Sequence, residues 1–322
     1  MSADGTFFYT LRTDQDDIYA ATLDPVTGQV LVAPERIAPD LEGNPLFAPD
    51  FSRDGKFLAY TRARTNGARV MVRDLATGDE ESVRDVNGYV RWSPDGGSFL
   101  MHNDNGIGNT ISLVNLETDA VTAVTSPVDS RGRLRAVPGV SDVFPQWLPD
   151  GEAIVYIRRD RRTNSHHVLM RNLETGRETE LYQAPNVSNI ALSSNGEQLA
   201  LWTETRAGVL ALQIVPVAGG EPRELIRSGR GPYTAWLAWT PDGRHLLLVK
   251  RNADPETQFP NELWRIAVGG GEPESLGLKA EGGIRQVRVH PDGRRIVFTS
   301  GQRVTELLAA ENFLAGTYSR DE

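Results

Sequence analysis

The sequence predicts an all-β fold, a seven-bladed β-propeller of four-stranded antiparallel blades whose first and last blades are incomplete. An Asp-Gly or Asn-Gly dipeptide recurs at nearly even spacing, with its Asp or Asn at positions 4, 54, 95, 150, 195, 242 and 292. A four-stranded blade needs roughly 40–50 residues, so this spacing is typical of stacked blades. A second turn signal, usually Thr-Gly or Gly-Gly, recurs in phase with the first. No amphipathic helical stripe of about 12 or more residues accompanies these signals.

Residues 47–86 show the order of elements within one unit: first strand, dipeptide turn, second strand, loop, third strand, tight turn and a more polar fourth strand. We predict these elements at residues 47–52, 53–56, 57–61, 62–68, 69–73, 75–78 and 81–84. The second strands are continuous apolar runs, for example residues 154–157, which suit strands covered on both faces. The Asp-Gly dipeptide is expected to supply the two positive φ angles of a type I′ hairpin.

The number of blades follows from the number of strands. Second and third strands can each be counted seven times, but first strands only six times, because the chain begins at the turn Asp4-Gly5. We predict closure by edge pairing between the first and last blades, or by residues 311–322 filling a gap. A six-bladed ring with a shared closing blade is the alternative, disfavoured because it leaves strands unused. Residues 1–322 are expected to form one propeller domain, either complete with a three-stranded first blade or cut from a longer protein.

Composition limits the function classes. The chain of 322 residues has a formal net charge of −9 and no cysteine. The acidic balance argues against nucleic acid, whose binders are more often basic, and the lack of cysteine excludes disulfides and thiolate metal sites. Residues 209–218, the best apolar stretch, are too short to cross a bilayer, so no membrane insertion is expected. Residues 1–5 show no secretion signal, which predicts a cytoplasmic protein, or a periplasmic one if a leader or upstream domain was removed.

Catalytic motifs are missing from the sequence. It contains no Gly-x-Ser-x-Gly nucleophile elbow, no phosphate-binding loop and no His-Glu-x-x-His zinc motif. The adjacent His166 and His167 are predicted at the start of a strand, where successive side chains point to opposite faces, so they are not expected to share a metal. We therefore predict no catalytic residue, no metal and no cofactor.

The connections predict where a binding site would lie. Turns from first to second and from third to fourth strands are tight, whereas the other connections are long and emerge together on the opposite face, here called the long-loop face. Binding residues concentrate on such loops. The candidate residues on this face are Arg131, Arg133, Arg135, Arg159, Arg161, Arg162, Tyr233 and Trp236. The arginines suit a carboxylate, a phosphate or an acidic partner. The preferred interpretation of the arginines is that they solvate their loops and pair with Asp129, Asp142 and Asp160. Trp236 is equally expected to bind a partner or to close the core.

The repeat resembles the bacterial PD40 family, the WD40-like, TolB-type propeller repeats, whose motif is aromatic-Ser-Pro-Asp-Gly. The motif stands here as Trp-Ser-Pro-Asp-Gly at 92–96, Trp-Leu-Pro-Asp-Gly at 147–151, Trp-Thr-Pro-Asp-Gly at 239–243 and Val-His-Pro-Asp-Gly at 289–293, with weaker forms at 51–55 and 192–196. The resemblance covers essentially the whole chain. It implies a propeller whose relatives include a periplasmic protein-binding component and propellers attached to peptidases or sensors.

These observations lead to a functional hypothesis. We expect a non-catalytic recognition module that binds a protein or peptide through the long-loop face. One alternative is an enzyme with a site assembled across blades in the channel, of the metal-dependent lactonase or lyase type. Another alternative is a regulatory propeller of a peptidase or sensor.

Overall fold

Four-stranded antiparallel sheets repeat six times in this protein. The computed structural model describes residues 7–38, 46–64, 67–86, 88–104, 109–125, 137–205, 207–229, 233–253 and 259–310. These ranges contain no helix, and so none long and apolar enough to span a membrane.

Five blades are each built from consecutive strands. Blade 1 contains β3 (Leu46–Phe51), β4 (Phe57–Arg64), β5 (Gly67–Asp74) and β6 (Glu80–Val86). Blade 2 contains β7 (Gly88–Trp92), β8 (Ser98–Asp104), β9 (Asn109–Asn115) and β10 (Val121–Ala123). Blade 3 contains β11 (Val140–Trp147), β12 (Ala153–Asp160), β13 (Ser165–Asn172) and β14 (Glu178–Ala184). Blade 4 contains β15 (Asn186–Leu192), β16 (Gln198–Glu204), β17 (Leu210–Pro216) and β18 (Arg223–Ser228). Blade 5 contains β19 (Tyr233–Trp239), β20 (His245–Arg251), β21 (Asn261–Ala267) and β22 (Glu274–Lys279).

The sixth, closing blade takes two strands from each end of the chain. It contains β1 (Phe7–Leu23), β2 (Val30–Ala38), β23 (Arg285–Val289) and β24 (Arg295–Ala310), in the order β2-β1-β24-β23. β1 and β24 pair without interruption from Phe7 opposite Ala310 to Thr22 opposite Arg295. The ring thus has six blades, and the shared closing blade is the alternative that the sequence analysis disfavoured.

The prediction of seven blades is wrong because it counted two long strands twice. At each end of the chain, a predicted second strand and a predicted third strand are parts of one strand, β1 or β24. The polar residues 13–17 interrupt the apolar pattern near the start of the chain, and the polar residues 300–303 do so near its end. In the structure these two polar segments lie opposite each other, for example Asp17 opposite Ser300, so that β1 and β24 run on through them. Asp4-Gly5 and residues 311–322, on which the count also depended, lie outside the described residues.

The core lies between the blades rather than within one sheet. Leu58 and Tyr60 of β4 and Ile154 and Tyr156 of β12 are fully buried, as expected of second strands covered on both faces. The motif tryptophans join neighbouring blades, since Trp239 donates a hydrogen bond from its indole Nε1 to the carbonyl oxygen of Ala191 in blade 4, at 2.8 Å. Packing against the preceding blade is therefore the role of this repeat position.

The motif turn is a five-residue connection and not the predicted type I′ hairpin. In the turn that follows β3, the backbone N–H of Gly55 donates to the carbonyl of Ser52 at 2.9 Å, and the Ser52 hydroxyl donates to Asp54 Oδ1 at 2.7 Å. Gly55 has a φ of 71°, but Asp54 is not among the residues with positive φ. Asp is thus favoured because its carboxylate caps the turn, and Gly because only its backbone adopts this conformation without strain.

These capped turns predict a loss of stability in acid. Hydrogen bonds from Ser52 and Ser93 hold the pKa values of Asp54 and Asp95 below their usual range. Such groups stabilise the fold above the pKa of the unfolded chain, about 3.9 for Asp, and lose that effect as the pH falls through the lower folded pKa. We expect the urea midpoint to fall steadily below about pH 4.

A variant carrying Asp54→Asn, Asp95→Asn and Asp242→Asn provides the control for this prediction. Its turns are expected to fold, because the natural Asn195 occupies the same position in blade 4 and accepts the Ser193 hydroxyl at 2.7 Å. Its urea midpoint should change less between pH 5 and pH 3 than that of the unaltered protein. An equal change in both proteins would contradict the assignment.

The two faces of the ring differ in their connections. Every first strand is joined to its second strand by five residues, from 52–56 in blade 1 to 290–294 in the closing blade. On the long-loop face the connections range from one residue between β6 and β7 to sixteen between β10 and β11. Variation in connection length is therefore concentrated on one face of a regular scaffold, where binding residues are commonly placed.

Candidate functional site

A cavity of about 520 Å³ lies where the innermost strands begin, at the long-loop end of the channel. Its lining comes from the closing blade and blades 1, 2 and 5, and includes Phe47, Tyr89, Trp236 and Gln286. We call it the channel mouth. Trp236, a predicted binding residue, lies here, and it also packs against the core between blade 5 and the closing blade. The expectation that Trp236 closes the core is therefore met, and its binding role stays a prediction.

The innermost strands are bulged at the channel mouth. Ala48 in β3, Phe144 in β11 and Gln286 in β23 have φ angles of 56°, 55° and 52°, and each lies within an irregularity of strand pairing. Positive φ in a residue other than glycine costs about 1–3 kcal/mol and is found at functional sites. The backbone N–H of Ala48 donates to Gln286 Oε1 at 2.6 Å, so a buried hydrogen bond between blades holds two of these bulges together.

An aromatic cluster is formed by Phe47, Tyr89 and His102, which line one side of the channel mouth, and by the neighbouring Phe144. Tyr89 stacks on His102 with ring centroids 5.6 Å apart and meets Phe47 edge-on at 5.5 Å. The guanidinium of Arg159 lies over the Phe144 ring, 5.3 Å from its centroid. One of the predicted arginines thus extends the aromatic cluster toward blade 3.

The predicted arginines occupy different environments. Burial lowers the pKa of Arg159, whose Nε has no hydrogen-bond partner among the described residues. Arg159 and Arg161 line a cavity of about 420 Å³ between blades 3 and 4. Arg162 instead forms a two-point ion pair with Asp160, whose pKa it lowers to about 2 through their hydrogen bonds. Arg131, Arg133 and Arg135, and with them Asp129, lie outside the described residues.

Tyr233 lies between blades 4 and 5. It lines a cavity of about 390 Å³ and stacks on Trp202 with ring centroids 5.3 Å apart. Burial raises the pKa of its hydroxyl. Ser188 borders both this cavity and the one that contains Arg159, so the two cavities are neighbours on the long-loop face. We call the pair the blade 4 cavities.

Most residues of the channel mouth were not predicted from the sequence. Phe47, Tyr89 and Gln286 stand three or four residues before the motif position at 51, 92 or 289. Aligning the repeats on that position would have placed these side chains together at the start of the innermost strands. The ion pair between Arg285 and Asp16 at the same mouth depends on the closing blade and has no such local signal. Within the described ranges, no three His, Asp or Glu side chains are grouped as metal ligands.

Comparison with known proteins gives curated relatives named TolB, while the similar solved structures also include proteins of other kinds, such as an oligogalacturonate lyase from Vibrio parahaemolyticus with a TM-score of 0.54 and 12% identity, covering 92% of this chain and 98% of that one. No family model matches the chain. The Tol-Pal system protein TolB of Francisella tularensis subsp. mediasiatica is 24% identical over 215 residues, covering 55% of this chain and 49% of the relative. A crystal structure of TolB from Acinetobacter baumannii superposes with a TM-score of 0.60 and 17% identity, covering 91% of this chain and 66% of that one. A structure from Agrobacterium tumefaciens described as TolB gives a TM-score of 0.65 and 17% identity, covering 90% and 99%.

The chain is thus similar to TolB in sequence and has the fold of the TolB-type β-propellers. The resemblance drawn from the aromatic-Ser-Pro-Asp-Gly motif is thereby confirmed. The chain spans about half the length of the curated relatives it matches.

Arg158, which precedes the predicted Arg159 in the chain, has a structural role in this propeller. In blade 3 it contacts Asp142 at 2.8 Å and Glu178 at 2.8 Å, and Glu178 also accepts the Tyr156 hydroxyl at 2.6 Å. Blade 1 repeats the arrangement, with the Tyr60 hydroxyl donating to Glu80 at 2.6 Å. A network that recurs between blades stabilises the scaffold. Of the predicted arginines that the structure describes, Arg159 and Arg161 line a cavity.

Proposed function

We propose that this TolB-type propeller is a recognition module that binds a protein or peptide partner across the channel mouth and the blade 4 cavities. The observation that carries the proposal is a run of three neighbouring depressions on the long-loop face whose walls combine aromatic rings with arginines. Aromatic residues and arginine supply most binding energy at protein interfaces, above all when seated in pockets. At the level of the family, the similarity supports a protein-interaction propeller, and the relatives are named as components of the Tol-Pal system.

Arg159 and Tyr233 are the side chains that we expect to anchor the partner. Arg159 is partly desolvated and has an unused Nε donor, and Tyr233 is held in place by its stacking on Trp202. Rigid or desolvated anchors of this kind lose little conformational entropy on binding. A bound segment would thus meet preformed contacts between blades 3 and 5.

A peptide selection tests the proposal. Peptides selected from a displayed library on the immobilised protein should bind at least tenfold more weakly to the variants Arg159→Ala and Tyr233→Ala, since anchor residues contribute about 2 kcal/mol or more. Arg244→Ala is the matched control, because Arg244 is exposed in a motif turn on the opposite face. Selection that yields no binder, or binders weakened equally by all three variants, would contradict a site on the long-loop face.

A further inference from the structure

Three charged side chains meet in the channel beneath the mouth. Asp50 of β3, Arg91 of β7 and Arg288 of β23 come from three consecutive blades and occupy the same repeat position, just before the motif residues Phe51, Trp92 and Val289. Arg91 stands two residues beyond Tyr89, which lines the channel mouth, and this is about 6–7 Å further along the strand. The group therefore lies deeper in the ring than the residues that line the mouth.

The three side chains are well removed from solvent. Arg91 is 8% exposed, and the side chains of Asp50 and Arg288 are 16% and 20% exposed. Asp50 Oδ1 lies 3.5 Å from Arg288 Nε, and Asp50 Oδ2 accepts the backbone N–H of Trp92 at 2.9 Å. One carboxylate thus has its oxygens engaged by one arginine and by the backbone.

Arg91 is left with an incomplete set of partners. Its Nη1 donates to the carbonyl of Val90 at 2.7 Å, while its buried Nε has no hydrogen-bond partner among the described residues. Arg288 makes a comparable bond from Nη1 to the carbonyl of Val287 at 2.9 Å. A guanidinium carries five N–H donors, so both arginines retain donors for a further acceptor.

The charges of this group do not balance. Two arginines accompany one aspartate, and the equivalent positions in the other blades are the uncharged Gln146, Ala191 and Ala238. Burial, reinforced by the neighbouring Arg91, lowers the pKa of Arg288 to about 9, and burial also lowers the pKa of Arg91.

The Arg158 network in blade 3 shows the opposite balance. There one arginine meets two carboxylates, and its hydrogen bonds to Asp142 and Glu178 outweigh burial, so that the pKa of Arg158 is raised. Burying a charge without a partner is costly, and an arriving counter-charge removes that cost.

We propose that Arg91 and Arg288 form an oxyanion-binding site in the channel, which takes one carboxylate or phosphate group entering through the mouth. One anionic group restores the charge balance, and the planar guanidinium fork matches carboxylate and phosphate oxygens. The site differs from the partner surface proposed above in its ligand, because a small anion can occupy it without a protein or peptide partner.

Binding of sodium phosphate and of sodium acetate, measured by calorimetry on the full chain at fixed ionic strength, tests the site. We expect saturable binding that weakens at least tenfold in Arg91→Gln and in Arg288→Gln. The exposed Arg244→Gln is the matched control and should bind as the unaltered protein does. Absence of saturable binding, or binding that persists unchanged in both channel variants, would overturn the proposal.

A variant that is expected to bind anions more tightly distinguishes an effect on the site from an effect on folding. Asp50→Asn removes the carboxylate that competes for the arginines while its amide oxygen can still accept the Trp92 N–H, so both anions should bind at least threefold more tightly. Weaker binding to a folded Asp50→Asn variant would count against the site.

Peptides identify the source of the oxyanion. A short peptide with a free terminal carboxylate should compete with acetate, whereas its amidated form should not, if a partner supplies the group. If neither peptide competes while the free anions bind, the site takes a small anion, and the partner surface is judged by the peptide selection alone.

Discussion

Replacing Phe298 with alanine is expected to lower the free energy of unfolding by about 3–5 kcal/mol, as for other large-to-small core substitutions of phenylalanine. Phe298 is fully buried in β24, and its ring stacks on Tyr19 of β1 with centroids 5.8 Å apart. It also belongs to the core that joins the closing blade to blade 5. The substitution would leave a cavity at the point where the two ends of the chain are joined. Urea unfolding monitored by circular dichroism measures the loss.

Phe8 offers a matched control in the same blade. It is on β1, like Tyr19, but 51% of it is exposed. Phe8→Ala should change the free energy of unfolding by no more than about 0.5 kcal/mol, as for other surface substitutions. Equal losses in the two variants would show that closure does not depend on the Phe298 core.

Replacing Arg158 with methionine is expected to cost about 3–5 kcal/mol of stability, the range for breaking a buried ion pair by removing one partner. Asp142, whose side chain is 5% exposed, receives two hydrogen bonds from Arg158, at 2.8 and 3.0 Å. Burial already raises the pKa of Asp142 with the arginine in place. Without it, the carboxylate would be buried with no cation. The double variant Arg158→Met, Asp142→Leu should recover most of the loss, because an apolar pair avoids the unpaired charge.

The pH dependence identifies the cause of that loss. A carboxyl group whose folded pKa is raised stabilises the fold at low pH and loses this effect as the pH rises through the folded pKa. Arg158→Met should therefore be less destabilised at pH 5 than at pH 8. Arg162→Met is the control, since Arg162 makes a similar two-point pair with Asp160 but is 64% exposed, and its replacement should change stability little at either pH. A loss for Arg158→Met that is the same at both pH values would contradict the explanation.

Most of the fold could be predicted because the blades are specified locally. The turn at Asp54-Gly55 and the apolar run that follows it lie within ten residues of each other, and the same signal is repeated in every blade. The number of blades could not be predicted in this way, because it depends on pairing between segments that are far apart in the sequence. Whether residues 13–17 form a loop or continue a strand depends on residues 300–303, and no pattern in either segment alone shows that they pair.

The candidate site was predictable in position but not in chemistry. The turn lengths located the long-loop face, and Arg159, Tyr233 and Trp236 do line cavities there. Which arginines form ion pairs could not be predicted from the sequence, because such pairs can join different strands. Arg158, for example, pairs with Glu178 on another strand. The channel arginines had a readable signal, since Arg91 and Arg288 stand where blades 4 and 5 carry alanine.

The pairing of β1 with β24 also has a consequence for how the protein is made. At about 5–20 residues per second, a ribosome would need tens of seconds to synthesise the segment between them. Blades 1 to 5 are each formed by consecutive strands and could fold during this time, whereas the edge of β1 that pairs with β24 stays unpaired until β24 is synthesised. An emerging strand of 17 residues with such an edge is open to association with other nascent chains. A delay at this stage would favour aggregation before the ring is complete.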